Sequence, residues 1–206
     1  MHLIFDFDGT LVDSFDKVIE QLNILADEFN FKRIQQAEIS ALKNLSSKEL
    51  IQYLKIPVYK IPSVLYRARK QISHAMPMLA PFVNLPQVLQ KMHDASISLG
   101  ILTSNSEENV TTWLEINNMK HLFDFIHIES NFFGKGRVIS KVIKKYSMDK
   151  QHAFYIGDET RDIEAAKQNS IHSIAVTWGF NSEKILLQHR PDYIAKKPED
   201  LLTILC

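Results

Sequence analysis

Short apolar runs that stop abruptly at carboxylates or small polar residues, spaced by stretches of helical periodicity, constrain this chain more than any other feature. The first run, His2–Phe5, ends at Asp6; the others are Ile97–Leu102, Phe125–Ile128, Ala153–Ile156 and Ser173–Val176. Runs this short and this continuously apolar match strands buried on both faces, as parallel strands are. Helical stretches lie between them: Leu85–His93, Glu107–Ile116 behind Ser106 as N-cap, Lys135–Tyr146, Arg161–Gln168 and Glu183–Leu187. In the third of these, Val138, Ile139, Val142 and Ile143 share one face. Regular alternation of strand and helix predicts an α/β protein with a doubly wound parallel sheet and helices on both sides.

Residues 15–80 break this rhythm. They show helical periodicity only, over Phe15–Phe29, Ile34–Leu42, Ser46–Leu54 and Ser63–Ala75, with Ser46 and Glu49 spaced as a capping box. Pro57, Pro62, Pro77 and Pro81 punctuate the end of the stretch. The expected organisation is a Rossmann-like core from residues 1–14 and 81–206, with an all-helical cap, residues 15–80, inserted after the first strand.

Charge and composition narrow the function classes. The 24 Lys and Arg balance the 24 Asp and Glu, so no basic field exists to gather nucleic acid or an anionic membrane. No uncharged apolar run approaches the roughly 18 residues that a membrane helix needs. The first residues carry acids where a signal peptide carries basic groups, and a cytoplasmic location is the expectation. The single cysteine, Cys206, leaves no intramolecular disulfide and no Cys₂His₂ zinc site.

Four motifs sit where strands end. Asp6-Phe7-Asp8-Gly9-Thr10 follows the first run. Residues i and i+2 of an extended chain face one side, so both carboxylates can address one site, and two such neighbours repel unless a cation intervenes or one is protonated. Gly9 allows a sharp turn whose N–H could approach an anion; a polar turn capped by Asp13 or Ser14 is the competing reading. Leu102-Thr103-Ser104-Asn105-Ser106 places hydroxyls and an amide before a helix, where α/β sheets bind anions, although an ordinary N-cap cluster reads the same way. Phe133-Gly134-Lys135-Gly136 sets a lysine between glycines, either to swing towards a phosphate or to lie in solvent, with Lys141 as the alternative cation. Tyr155-Ile156-Gly157-Asp158-Glu159-Thr160-Arg161-Asp162 brings Asp158 and Asp162 together at a helix start, a place that also suits acids for dipole reasons alone.

Together and in this order, DFDGT, ILTSN, FGK and GDETRD resemble the four motifs of haloacid dehalogenase-superfamily phosphatases, nearest the phosphoglycolate phosphatase-like branch with a helical cap. The resemblance spans nearly the whole chain. It implies Asp6 as nucleophile and Asp8 as general acid/base. It implies Gly9, Thr103, Ser104, Asn105 and Lys135 around the phosphate, and Asp6, Asp8, Asp158 and Asp162 as the residues that bind or orient Mg²⁺. The implied activity is hydrolysis of a small phosphorylated metabolite, phosphoglycolate-like or a sugar phosphate, through an aspartyl-phosphate, by a monomer or small homo-oligomer that binds neither nucleic acid nor membrane. A phosphomutase on the same fold, or a non-catalytic phosphate-binding protein, is the rival. The segment Lys43-Asn44-Leu45-Ser46-Ser47-Lys48 resembles the cap loop that touches the leaving group in related enzymes, with Lys43 and Lys48 as candidate substrate contacts against a plain solvated turn. Trp178-Gly179-Phe180 reads as loop and core packing.

Overall fold

The computed structural model describes residues 1–129 and 134–205. Six strands form one parallel sheet: β1 (His2–Phe5), β2 (Ser98–Thr103), β3 (Phe125–Ile128), β4 (Ala153–Gly157), β5 (His172–Val176) and β6 (Tyr193–Ala195), in the order β3-β2-β1-β4-β5-β6. Strand β1 is central, and its side chains divide the core as the two-residue repeat demands. Leu3 and Phe5 join Leu89, Leu99, Ile101 and Trp113 on one face. Ile4 joins Leu102, Ile139, Val142 and Tyr155 on the other. Gly100 has no side chain because Phe125 lies over it: a Cβ there would stand 2.0 Å from the ring.

The helices are α1 (Phe15–Phe29), α2 (Ile39–Leu42), α3 (Ser47–Tyr53), α4 (Ile61–Ser73), α5 (Leu85–Asp94), α6 (Glu107–Ile116), α7 (Lys135–Lys145), α8 (Thr160–Gln168), α9 (Glu183–Gln188) and α10 (Asp200–Leu205). Among the described residues, no helix is long and apolar enough to cross a membrane. Phe133 of the third motif and Cys206 lie outside the described residues.

Helices α1 to α4 all fall between β1 and β2 and gather their own apolar cluster, with Leu25, Leu42, Leu54, Ile61 and Val64 buried in it. Ser46 caps α3 as its spacing predicts, with the Glu49 side chain returning to the Ser46 N–H. Pro62 begins α4 instead of ending a helix; the first turn needs no N–H from it. The helix expected over Ile34–Leu42 is a 3₁₀ turn, Gln36–Glu38, followed by the single turn of α2. There Glu38 turns back to the Gln35 N–H and to Lys32 and Tyr53, and so tightens the chain. Strand β6 and helix α10 escape the sequence reading because three to six residues carry too little periodicity to stand out.

Register positions the site. Phe5 of β1 lies level with Ile101 of β2 and with Ile156 of β4, so the residues after these strands emerge side by side. From β1 the sheet is extended in opposite directions by β2 and β4, and the crevice outside such a switch point is where open α/β sheets bind ligands.

The Glu38 cluster gives a test of the helical insertion. Hydrogen bonds from Tyr53 and then Lys32 pull the Glu38 carboxyl down to about 2 from its ordinary 4.5. A depressed carboxylate stabilises the fold above its unfolded pKa and ceases to do so as pH falls towards its folded one. Glu38→Gln should therefore melt below the parent at neutral pH, with the gap closing between pH 4.5 and about 2; a gap that ignores pH in melting curves would contradict this.

Candidate active site

Three buried carboxylates meet beyond the ends of β1 and β4. Asp6, Asp158 and Asp162 each turn one oxygen inward, and these atoms lie within 4.8 Å of one another. So much like charge stays together only because every acid is held. Thr10 Oγ1 donates to Asp158 Oδ1 at 2.7 Å and the Phe180 N–H donates to Oδ2 at 2.7 Å. Asp162 accepts from the Glu159 N–H at 2.9 Å and packs on Gly157, where a Cβ would stand 2.3 Å from its oxygen. Lys135, the first residue of α7, places Nζ 2.8 Å from Asp6 Oδ2 and also pairs with Asp162. Burial works against the ammonium, but Asp162 and Asp6 outweigh it and raise its pKa well above the ordinary lysine value. Burial, with Glu159, Asp162 and Asp6 adding to it, pushes Asp158 well up; burial and Asp6 lift Asp162 to about 6 against Lys135. An all-oxygen set with surplus negative charge fits a hard divalent cation.

Asp8 has different surroundings. Ser14 Oγ donates to its Oδ1 at 3.1 Å and Asn105 Nδ2 to its Oδ2 at 3.0 Å. Burial first, then Asp6, raises its pKa to about 6, against the pull of those two donors. Asn105 is oriented in turn: its N–H donates to Thr103 Oγ1 at 3.0 Å, and its Oδ1 accepts from Asn109 Nδ2 at 2.8 Å. Ser14 was a candidate helix cap; its hydroxyl instead goes to Asp8 and makes no cap bond.

Other expectations change. The Gly9 N–H is not free for an anion, since it donates to Val12 O at 3.0 Å and closes the turn after β1. Glycine is still required there: φ is +76°, and a Cβ would stand 2.4 Å from both Asp158 and Phe180. Thr103 and Ser104 line a small cleft with Lys135. Lys141 is exposed, 3.8 Å from Glu129, and away from the carboxylates. Lys43 reaches the site's edge, donating to Gly179 O at 2.9 Å with its Nζ 4.1 Å from the centre of the Phe15 ring. Lys48 is exposed and absent from the cavity wall.

Trp178-Gly179-Phe180 does more than pack. The indole N–H donates to Thr10 O at 3.1 Å, Phe180 holds Asp158, and a Cβ on Gly179 would press on Asp158 at 2.3 Å and Gly9 O at 2.4 Å. The segment clamps the turn after β1 to the turn after β4. Beyond it, Asn181 donates to Leu45 O at 2.9 Å, the Ser182 N–H to Lys43 O at 2.8 Å and Ser182 Oγ to Asn44 Oδ1 at 2.6 Å. Ser47 bonds Glu159, whose carboxylate also holds Arg161. The loop before α3 is thus fastened over the sheet edge, and a cavity of about 220 Å³ lies between them. The sequence reads Ser14 as a cap, Glu159 and Arg161 only as members of the fourth motif, and Trp178–Phe180 as packing; their parts here come from partners across a turn or distant along the chain.

Carboxylates crowded at a switch point and only partly offset by one buried lysine agree with the comparisons, which make the protein a phosphatase on an α/β fold. The chain belongs to the haloacid dehalogenase-like hydrolase family, whose model matches residues 3–176. It is 33% identical over 200 residues to a phosphoglycolate phosphatase of Synechococcus elongatus, covering 97% of this chain and 94% of the relative. It is 22% identical over 206 residues to the pyrophosphatase PpaX of Bacillus pumilus, covering 98% and 95%. Among solved structures, a haloacid dehalogenase-like family hydrolase from Streptococcus pneumoniae superposes with a TM-score of 0.81 at 24% identity, over 100% of this chain and 98% of that one.

Lys135→Ala should raise the barrier to turnover by about 2–4 kcal/mol, as loss of one charge-directed donor does, while Lys141→Ala leaves kcat/KM nearly untouched. Steady-state kinetics of the two variants decide it; a larger loss at Lys141 would displace Lys135 from the site.

Proposed function

We propose that the enzyme is an Mg²⁺-dependent phosphomonoester hydrolase that works through an aspartyl-phosphate on Asp6. The observation that carries this reading is the contrast between two carboxylates two residues apart. Asp6 is paired with a buried ammonium, whereas Asp8 is buried and hydrogen-bonded with its pKa raised to about 6. A carboxylate beside a buried ammonium suits attack on phosphorus, and a buried carboxyl whose pKa is raised suits delivery of a proton.

The roles follow. An Asp6 oxygen attacks phosphorus, and the bond to the ester oxygen breaks. Asp8 gives its proton to the departing alkoxide, which leaves as the alcohol, and then takes a proton from the water that attacks the aspartyl-phosphate. That second step releases phosphate and restores the Asp6 carboxylate. Lys135, Thr103, Ser104 and Asn105 gather around the phosphoryl oxygens and oppose their charge. Gly9 serves the phosphate through the shape of its turn. Asp6, Asp158 and Asp162, with the Asp8 carbonyl, would hold Mg²⁺, whose charge offsets the repulsion between a carboxylate and a phosphate.

We place residues 15–80 as a cap over a core of residues 1–14 and 81–206. The hydrogen-bonded seam between 43–45 and 179–182 supports this arrangement. The substrate is a small phosphorylated metabolite, phosphoglycolate-like or a sugar phosphate, in keeping with the names of the relatives. The protein acts in the cytoplasm as a monomer or small homo-oligomer.

Asp6→Asn should reduce phosphate release to background with the fold intact, and chelation should silence the parent until Mg²⁺ is restored. Phosphate release that persists in Asp6→Asn, or that chelators leave unchanged, would refute the assignment. Asp8→Asn should slow turnover of ordinary esters by about 10²–10⁴-fold. With an ester whose leaving group needs no proton, it should accumulate a phosphorylated protein visible by rapid-quench mass spectrometry. Full activity of Asp8→Asn on ordinary esters would remove it from acid/base duty.

A further inference from the structure

The cavity beside the helical insertion is lined mainly by aliphatic side chains, with its polar groups few. Leu22, Ile39, Leu50, Leu54 and Val64 are among these, and such side chains offer no partner to a hydroxyl group. Three cations besides Lys135 border it or its neighbouring cleft, and two are engaged. Lys43 donates to Gly179 O, and Arg161 is held by Glu159. Arg69, on α4, is the third. It lines the same cavity as Asp8, Ser104 and Asn105, it is half-buried, and among the described residues its guanidinium has neither hydrogen bond nor ion pair.

Such a guanidinium is costly to place. A charge taken partly out of water loses solvation, and without a hydrogen-bonded partner the fold returns only part of it. Burial lowers its pKa, the Asp8 carboxylate raises it and Arg161 lowers it further. Its backbone is fixed as well, since Asn109, which orients Asn105, also reaches Arg69 O at 3.4 Å. Helix α4 thus presents a half-buried planar cation, free of hydrogen bonds and ion pairs among the described residues, to the region where the leaving group must lie if Asp8 is to protonate it. A guanidinium pairs best with a planar carboxylate.

We propose that Arg69 is the specificity-determining cation of this enzyme and receives a carboxylate on a short, sparsely hydroxylated leaving group, so that carboxylated phosphomonoesters are preferred to sugar phosphates. This rests on the phosphomonoester hydrolase reading above. Lys43 and Lys48 are displaced from that part, the first because its ammonium is already occupied and the second because it lies outside the cavity.

The test compares kcat/KM for phosphoglycolate, ethyl phosphate and glucose 6-phosphate in the parent, Arg69→Met and Arg69→Lys. Inorganic phosphate inhibition is measured in each as a check on the phosphate site. The parent should prefer phosphoglycolate to both other esters. Arg69→Met should lower the ratio of phosphoglycolate to ethyl phosphate by about tenfold or more, the worth of one charge-assisted contact, and Arg69→Lys should recover part of it. The ratio is internal to each variant, so a general loss of folded protein cancels. A ratio in Arg69→Met within about threefold of the parent's, well below the worth of that contact, or a parent that favours glucose 6-phosphate, overturns the proposal and leaves the hydrolase reading standing. A folded parent that releases phosphate from none of the three, nor from p-nitrophenyl phosphate, overturns the hydrolase reading and this proposal with it.

Discussion

The structure turns on the containment of negative charge at the ends of β1 and β4. Asp6, Asp158 and Asp162 are buried together, an arrangement that repulsion and desolvation both oppose. Lys135 offsets part of this by touching two of the three. The remainder is met by donors from the turns: Thr10 and Phe180 on Asp158, and the Glu159 N–H on Asp162. These donors belong to different stretches of chain, so keeping the acids in place also ties the turn after β1, the start of α8 and the Trp178–Phe180 clamp into one body. Glycines at 9, 157 and 179 follow from the same demand, because each leaves room for an oxygen of Asp158 or Asp162.

That constraint reaches the helical insertion. Phe180 holds Asp158, and the residues beside it, Gly179, Asn181 and Ser182, bond the loop of residues 43–45. Glu159 lies between two residues that bear on the site and takes Ser47 from the loop and Arg161 from α8. The helical insertion and the buried acids are therefore joined through two short connections.

Much of this was legible in the sequence and some was not. The strands of β1 to β5 are readable because each is a continuous apolar run, and Asp6, Asp8, Asp158 and Asp162 are readable because each stands near a place where such a run stops. β6 and α10 were too short to show a period. The Gly9 N–H looked available only because its partner, Val12 O, depends on how the turn closes. Ser14 looked like a cap because its position relative to α1 is that of a cap, while the nearness of Asp8 is a matter of three-dimensional geometry.

What the sequence by itself determined is the architecture and the chemical inventory. Local periodicity decides strand against helix, and strand ends decide which polar groups reach the sheet edge, since both depend on neighbours a few residues apart. What only the tertiary structure decided is the use to which each group is put. Lys135 is separated from Asp6 by most of the core, Asn105 from Asp8 by 97 positions and Thr10 from Asp158 by 148. Whether a cation is spent inside the fold, as Lys43 is on Gly179 O, depends on which atoms stand within about 3 Å of it, and that is fixed only by the tertiary packing.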